Sequence, residues 1–305
     1  MRQTTKLQRS KVQKNGFTLL ELLVAAAILL VILGVVATGI GGGSNAVSAV
    51  VTSSELNEDT RVAGQMIADG VARAVYVYPP GAELSLNGAS SYSVKNPRTN
   101  KNVWKVGTDP ILAYLENPAD TTVECLRTVT LADGSTAQVG SEAGCLYFVA
   151  YYPIKRSLLV KRAAYDHLAD SRNEDAWILL EYRKRLSAGL NELQDGTLRD
   201  PPLTKDDGLS DTSGRLLVDY LVPETGFEVL GGTCRQRDDN GRDVTLSANA
   251  CNELVDEYEA DFANTLVSGQ FELQAKSNRR AGSTTTPAMR FGIAPRNLVS
   301  AEGLE

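Results

Sequence analysis

The sequence predicts an α+β protein: a long N-terminal helix, transmembrane in its first half and amphipathic in its second, joined to a β-rich globular head. Three observations predict it. Residues 17–40 form an apolar run with one charge, Glu21. A helical pattern resumes over residues 44–76. Beyond Pro79 and Pro80, short apolar and β-branched runs alternate with clusters of Gly, Asn, Asp and Pro. The 305 residues are 43% apolar, enough for one sizeable core or two small ones. Aromatics are only 6% while turn formers are plentiful, which suits strands and turns more than helices.

The first element is a basic leader over residues 1–16, with Arg2, Lys6, Arg9, Lys11 and Lys14 and no acid. Without it the chain holds 26 basic against 37 acidic side chains, a net −11. That surface has no general attraction for phosphate backbones, so no nucleic-acid site is expected. The second element, residues 17–40, would span about 36 Å as a helix, enough to cross a hydrocarbon core of roughly 30 Å. Basic residues precede it, and the next one after Ile40 is Arg61. The leader is therefore expected in the cytoplasm and the bulk outside, on a single pass of the cytoplasmic membrane. A cleavable secretory signal has a shorter apolar core, about 7–15 residues. A plain signal anchor leaves Glu21 unexplained, because a carboxylate near the membrane costs about 2–3 kcal/mol or more without a partner.

The run Lys14-Asn15-Gly16-Phe17-Thr18-Leu19-Leu20-Glu21-Leu22-Leu23-Val24 closely resembles the class III signal of type IV prepilins and type II secretion pseudopilins. The resemblance implies cleavage between Gly16 and Phe17 by a prepilin peptidase on the cytoplasmic side, with N-methylation of Phe17. It also implies that Glu21, the fifth mature residue, aids assembly. The physics is coherent: glycine admits a close backbone approach at the cut, and a buried carboxylate can pair with the amine of a neighbouring subunit. Implied partners are the peptidase, other major and minor pilins or pseudopilins, an inner-membrane assembly platform, and the lipid bilayer before assembly. The destination is then a pilus or pseudopilus.

In the third element, residues 41–76, Gly39, Gly41, Gly42 and Gly43 are expected to interrupt the helix, each costing about 1 kcal/mol relative to Ala. Val47, Val51, Val62, Met66, Ile67, Val71 and Val75 then recur largely at three- and four-residue steps among charged positions. The family likeness implies that this half packs on a β-sheet. The helix is expected to end at 76–81, where paired prolines cannot continue it. The fourth element is the extracytoplasmic head, residues 77–305. Its candidate strands are 103–106, 111–115, 122–131, 145–152, 176–182, 215–222, 226–230, 268–275 and 288–293. Turn-rich clusters fall at 85–102, 195–213 and 278–287, and 158–167 reads as a short helix or a strand. A head of this size resembles those of minor subunits, such as W-like minor pilins and J-like minor pseudopilins. The run at 289–298 also resembles the tail of W-like pilins.

Cys125, Cys145, Cys234 and Cys251 all lie outside the membrane on this topology, where disulfides persist. Three pairings are possible, and proximity favours Cys125–Cys145 and Cys234–Cys251. No close Cys or His pairs suggest a metal, and no cofactor is expected. His167 is the sole histidine, and no Gly-x-Ser-x-Gly elbow or phosphate-cradling loop is present, so no catalytic residue is assigned and an enzyme is not expected. Residues 238–243 hold part of a calcium-loop pattern but read better as a solvated turn. Tyr151, Tyr152, Tyr165 and Trp177 read as core or, alternatively, as an adhesive patch. The sequence thus points first to a minor type IV pilin that initiates or caps assembly for adhesion, motility or DNA uptake. A minor pseudopilin of type II secretion is the alternative, and a membrane-tethered extracytoplasmic enzyme the distant one.

Overall fold

The computed structural model describes residues 18–88, 93–160, 170–194, 197–198, 200–210, 214–238, 242–253, 260–279 and 282–298. Two compact units divide the chain, Met1–Val50 and Val51–Glu305. The α+β class predicted from the sequence is the one observed: a long apolar helix, then a β-rich head.

Helix α1 runs Leu19–Ala72, 54 residues without a break. The glycines at 39 and 41–43 do not interrupt it, contrary to expectation. No neighbouring atom lies within 4 Å of where their Cβ atoms would be, so nothing competes for that backbone. Each glycine costs about 1 kcal/mol, but propagation of a long helix is cooperative and absorbs the penalty. The helix also stops earlier than expected. Ala74–Val77 is strand β1, with all four residues buried. Val71 and Val75 continue a helical spacing, but Val75-Tyr-Val-Tyr78 is also a β-favouring run, and pairing with a second strand decides between them.

That second strand is β4 (Leu112–Glu116). The main sheet is antiparallel in the order β1-β4-β7-β8-β9, with β7 at Cys145–Lys155, β8 at Trp177–Gly189 and β9 at Gly214–Leu221. Both of its faces are buried, so β4 and β7 read as continuous apolar runs and not as alternating ones. One face carries Ala113, Leu115, Phe148, Ala150, Ile178 and Leu180. It is covered by the pair β2 (Glu83–Ser85) and β3 (Val103–Lys105), and by helices α2 (Arg156–Val160) and α3 (Leu190–Gln194). Helix α2 resolves the ambiguous 158–167 stretch as helix to residue 160; the rest, with His167 and Tyr165, lies outside the described residues.

The other face carries Leu112, Tyr114, Val149, Tyr151, Trp177 and Leu179. Against it pack Ala63, Ile67 and Val71 of α1, and the second sheet, ordered β11-β10-β12-β15. Its strands are β10 (Phe227–Arg237), β11 (Asp243–Leu246), β12 (Thr265–Leu273) and β15 (Met289–Ile293). The buried Thr265 hydroxyl donates to the Val77 carbonyl and accepts from the Val77 N–H, both at 3.0 Å, tying β12 to β1. The expected stripe on α1 is therefore half right. Ile67, Val71 and, beyond the helix, Val75 are buried, whereas Val47, Val51, Val62 and Met66 are exposed. The buried face runs instead through Thr52, Leu56, Thr60, Ala63, Gly64 and Gly70.

Strands β5 (Arg127–Thr130) with β6 (Thr136–Val139), and β13 (Lys276–Arg279) with β14 (Gly282–Thr285), form separate hairpins. Helix α4 (Ala248–Glu253) and two 3-10 turns, Glu142–Gly144 and Lys205–Asp207, complete the described elements. Strands β2, β6, β11, β13 and β14 escaped the sequence reading because each is only three or four residues long and lies among turn residues.

Candidate assembly segment

The segment is built from the start of α1 upward. Thr18 is the residue before the first helical position, and Glu21 is the third residue of the first turn. The Thr18 N–H donates to Glu21 Oε2 at 2.9 Å and its hydroxyl to the same oxygen at 3.0 Å. In return the Glu21 N–H donates to Thr18 Oγ1 at 3.3 Å. This is a reciprocal capping box, satisfying donors that a helix N-terminus otherwise leaves open. A carboxylate in the first turn is also favoured by the positive end of the helix dipole. Both contacts on the carboxylate use Oε2; Oε1 has no partner among the described residues. Thr18 is the residue that the sequence reading missed, although Thr-x-x-Glu before an apolar run is the written signature of such a cap. Gly16 and Phe17 lie outside the described residues, as does the leader.

Beyond the cap, α1 presents an uncovered apolar surface. Leu19 is 82% exposed, and Leu22, Leu23, Ile28, Leu30, Val31, Leu33, Val35 and Ile40 are all exposed too. The helix is long and apolar enough to cross a membrane. Thr38 hides its polarity by donating back to the Gly34 and Val35 carbonyls at 3.1 and 2.9 Å. A surface of this kind needs lipid or other apolar helices around it.

Within the Val51–Glu305 unit, two glycines let α1 sit close to its neighbours. A Cβ on Gly64 would overlap the Phe291 ring, and one on Gly70 would overlap the Tyr114 hydroxyl. Under Gly70, the hydroxyls of Tyr114 and Tyr151 lie 3.2 Å apart. Burial pushes the Tyr114 phenol far up and the Tyr151 phenol up to about 12. At the end of the helix, Arg73 donates to Glu116 Oε1 at 2.8 Å, and Arg183 approaches the other oxygen at 2.5 Å. The Glu116 side chain is 7% exposed, so two cations compensate one buried carboxylate.

Cys125 is bonded to Cys145 and Cys234 to Cys251, with Cα–Cα separations of 4.3 and 5.4 Å. Tyr151, Tyr152 and Trp177 are core residues, not a surface patch. A cleft of about 240 Å³ lies beside β4 and β10, lined by Tyr78, Pro80, Leu112, Val229, Leu266 and others, with no carboxylate, histidine, cysteine or cation in its wall among the described residues. Of the calcium-like stretch, residues 239–241 lie outside the described residues. Its first aspartate accepts from the Arg242 N–H at 2.8 Å, as in an ordinary turn.

Residues 12–37 match the prokaryotic N-terminal methylation motif. That match, with the apolar helix it opens, supports a type IV pilin or pseudopilin, a membrane-anchored structural subunit processed by prepilin peptidase and assembled with other pilins. No curated protein and no solved structure matches the chain.

Proposed function

We propose that the chain is a minor type IV pilin that helps to initiate or cap a pilus serving adhesion, motility or DNA uptake. The observation that carries the reading is the methylation motif placed against the capped, uncovered apolar helix. On this reading the peptidase cuts between Gly16 and Phe17, and Phe17 is N-methylated. Glu21 offers Oε1 to the amine of a neighbouring subunit while Oε2 holds the cap. The size of the head, W-like or J-like in proportion, supports a minor subunit. Before assembly the helix lies in the cytoplasmic membrane, with the leader inside and the head outside.

A minor pseudopilin of type II secretion shares the motif, and neighbouring genes separate the two: retraction ATPases belong with pili, a secretion-type secretin set with the pseudopilus. The chemical test is intact-mass analysis and N-terminal sequencing of the mature protein. Methylated Phe17 is expected at the first position, and Gly16→Val should retain the leader. A mature chain starting beyond Ile40 would overturn the reading.

A further inference from the structure

The hairpin β5–β6 stands apart from both sheets. Its strands pair only with each other, and residues 127–140 are exposed except for the half-buried Val129 and Ala137. A two-stranded hairpin is marginal alone in water. This one is held at its base by the Cys125–Cys145 bond and by the Ser141 N–H donating to the Glu124 carbonyl at 2.9 Å. Its tip is a three-residue loop. Leu131 N–H donates to the Ser135 carbonyl at 2.8 Å, Gly134 N–H donates to the Leu131 carbonyl at 2.9 Å, and Gly134 has φ 82°. Asp133 accepts from the Ser135 N–H and hydroxyl, stiffening the loop.

The Leu131–Ser135 bond sets the phase of the ladder. Val129↔Ala137 and Arg127↔Val139 are the mutually bonded pairs, while Thr128↔Gln138 and Thr130↔Thr136 are not. The backbone N–H and C=O groups of Thr136 and Gln138 therefore point away from the hairpin, and none has a partner among the described residues. The two edges differ in defence. Strand β5 begins at Arg127, whose guanidinium pairs with Glu124 at 3.0 Å. Strand β6, Thr136-Ala137-Gln138-Val139, has no charge, no proline and no bulge, three of the devices that keep an edge from pairing; its four residues leave room for only a short partner strand. Beside it, Val129, Leu131, Ala137 and Val139 share one face, with Leu131 47% and Val139 37% exposed; Arg127, opposite Val139, closes that face at its base and is paired with Glu124.

We infer that β6 accepts an extended, uncharged strand from a neighbouring subunit of different sequence in the same filament. The inference rests on the assembly reading proposed above. The incoming strand pairs with the outward groups of Thr136 and Gln138 and continues the apolar face with its own alternate side chains. A charge set beside Ala137 would lose hydration without gaining a partner, because Arg127, at the far end of this face, is already paired with Glu124. Four paired residues bury far less than the roughly 1,200 Å² of an ordinary specific interface, so free heads do not associate through this edge. It works where the apolar helices already hold subunits together and raise the effective concentration. A second copy fits poorly. Offering β5, it would bring Arg127 and Glu124 into the contact; offering β6, it needs a two-fold axis that a helical filament lacks.

The test places a benzophenone amino acid at Thr136 of the full-length chain in its native host, with the other filament genes intact. Mass spectrometry then maps the photoadduct in sheared filaments. The expected adduct is with an extended segment of a different subunit. Gln138→Pro removes one outward N–H and leaves the hairpin's own ladder in place, so it should cut the adduct at least tenfold without changing cleavage after Gly16. Gln138→Ala should keep the adduct. Adducts with a second copy only, none in assembled filaments, or a yield untouched by Gln138→Pro would overturn the inference while leaving the assembly reading intact. A chain that keeps its leader and never enters filaments would overturn both.

Discussion

On the proposed reading Glu21 has two separable jobs, capping α1 and pairing with a neighbouring amine, and side-chain chemistry can pull them apart. As a cap it needs only an acceptor at the third helical position, which glutamine also supplies. As a partner for an amine it needs negative charge. Glu21→Ala should still be trimmed after Gly16 but should lose its side of the cap and enter filaments poorly. Glu21→Gln keeps the acceptor and loses the charge, so it should assemble as poorly as the alanine variant in quantitative blots of sheared filaments. Normal incorporation of Glu21→Gln beside failure of Glu21→Ala would assign the residue to capping alone. Gly64 poses a contest of the same kind, between propensity and space. Helix propensity favours Gly64→Ala by about 1 kcal/mol, but the new Cβ would enter the Phe291 ring, which stacks on Phe271 at 5.2 Å. Overpacking wins, and urea unfolding should show a net loss of about 1–3 kcal/mol. A gain would mean that the ring moves freely.

Among the elements, the junction of α1 with the main sheet is the one a pH titration can read. In the folded protein burial holds the Tyr151 proton to about 12, whereas an unfolded tyrosine releases it near the ordinary value of 10. Between those values the folded state binds more protons. Stability is therefore fully present below pH 10 and falls as pH rises toward 12, by up to about 1.4 kcal/mol per unit for one such group. Tyr114 adds to the same trend, since its shift has the same sign and cause. Thermal melts across this window should flatten when both tyrosines are changed to phenylalanine. The disulfides are testable by removal. The bonded cysteines are 20 and 17 residues apart, so opening either loop should cost about 3 kcal/mol in the chain-entropy model. Cys125→Ser with Cys145→Ser should also raise amide exchange across 127–139, because the hairpin loses its base. Protection unchanged there would mean that the backbone bonds at Ser141 and Glu124 suffice.

On the scale of the whole molecule, the chain divides where exposed apolar helix gives way to buried face. A fragment of residues 51–305 keeps Leu56, Ala63, Ile67 and Val71 against the sheet and sheds the uncovered run, so it should be soluble and monomeric by light scattering. Association of that fragment would point to a head–head interface larger than β6 offers. The N-terminal methylation motif and the long apolar helix were legible in the amino-acid order. A motif and an uninterrupted apolar run are matters of local residue order and length, which need no fold to be recognised. The β-rich class was legible for a similar reason, since turn residues and β-branched runs are local preferences. Three features were settled only in three dimensions. Residues 74–77 became strand because β4 lies beside them, although their spacing also suits a helix. Val62 and Met66 stayed exposed while Thr52, Thr60, Gly64 and Gly70 went inward, because closeness of approach, more than apolarity, selects the face of α1. Strands β6, β11, β13 and β14 formed from polar stretches, because backbone pairing across a register supplies what their side chains do not. Composition and periodicity record what each segment prefers alone, and only the packed neighbours decide between preferences of nearly equal free energy.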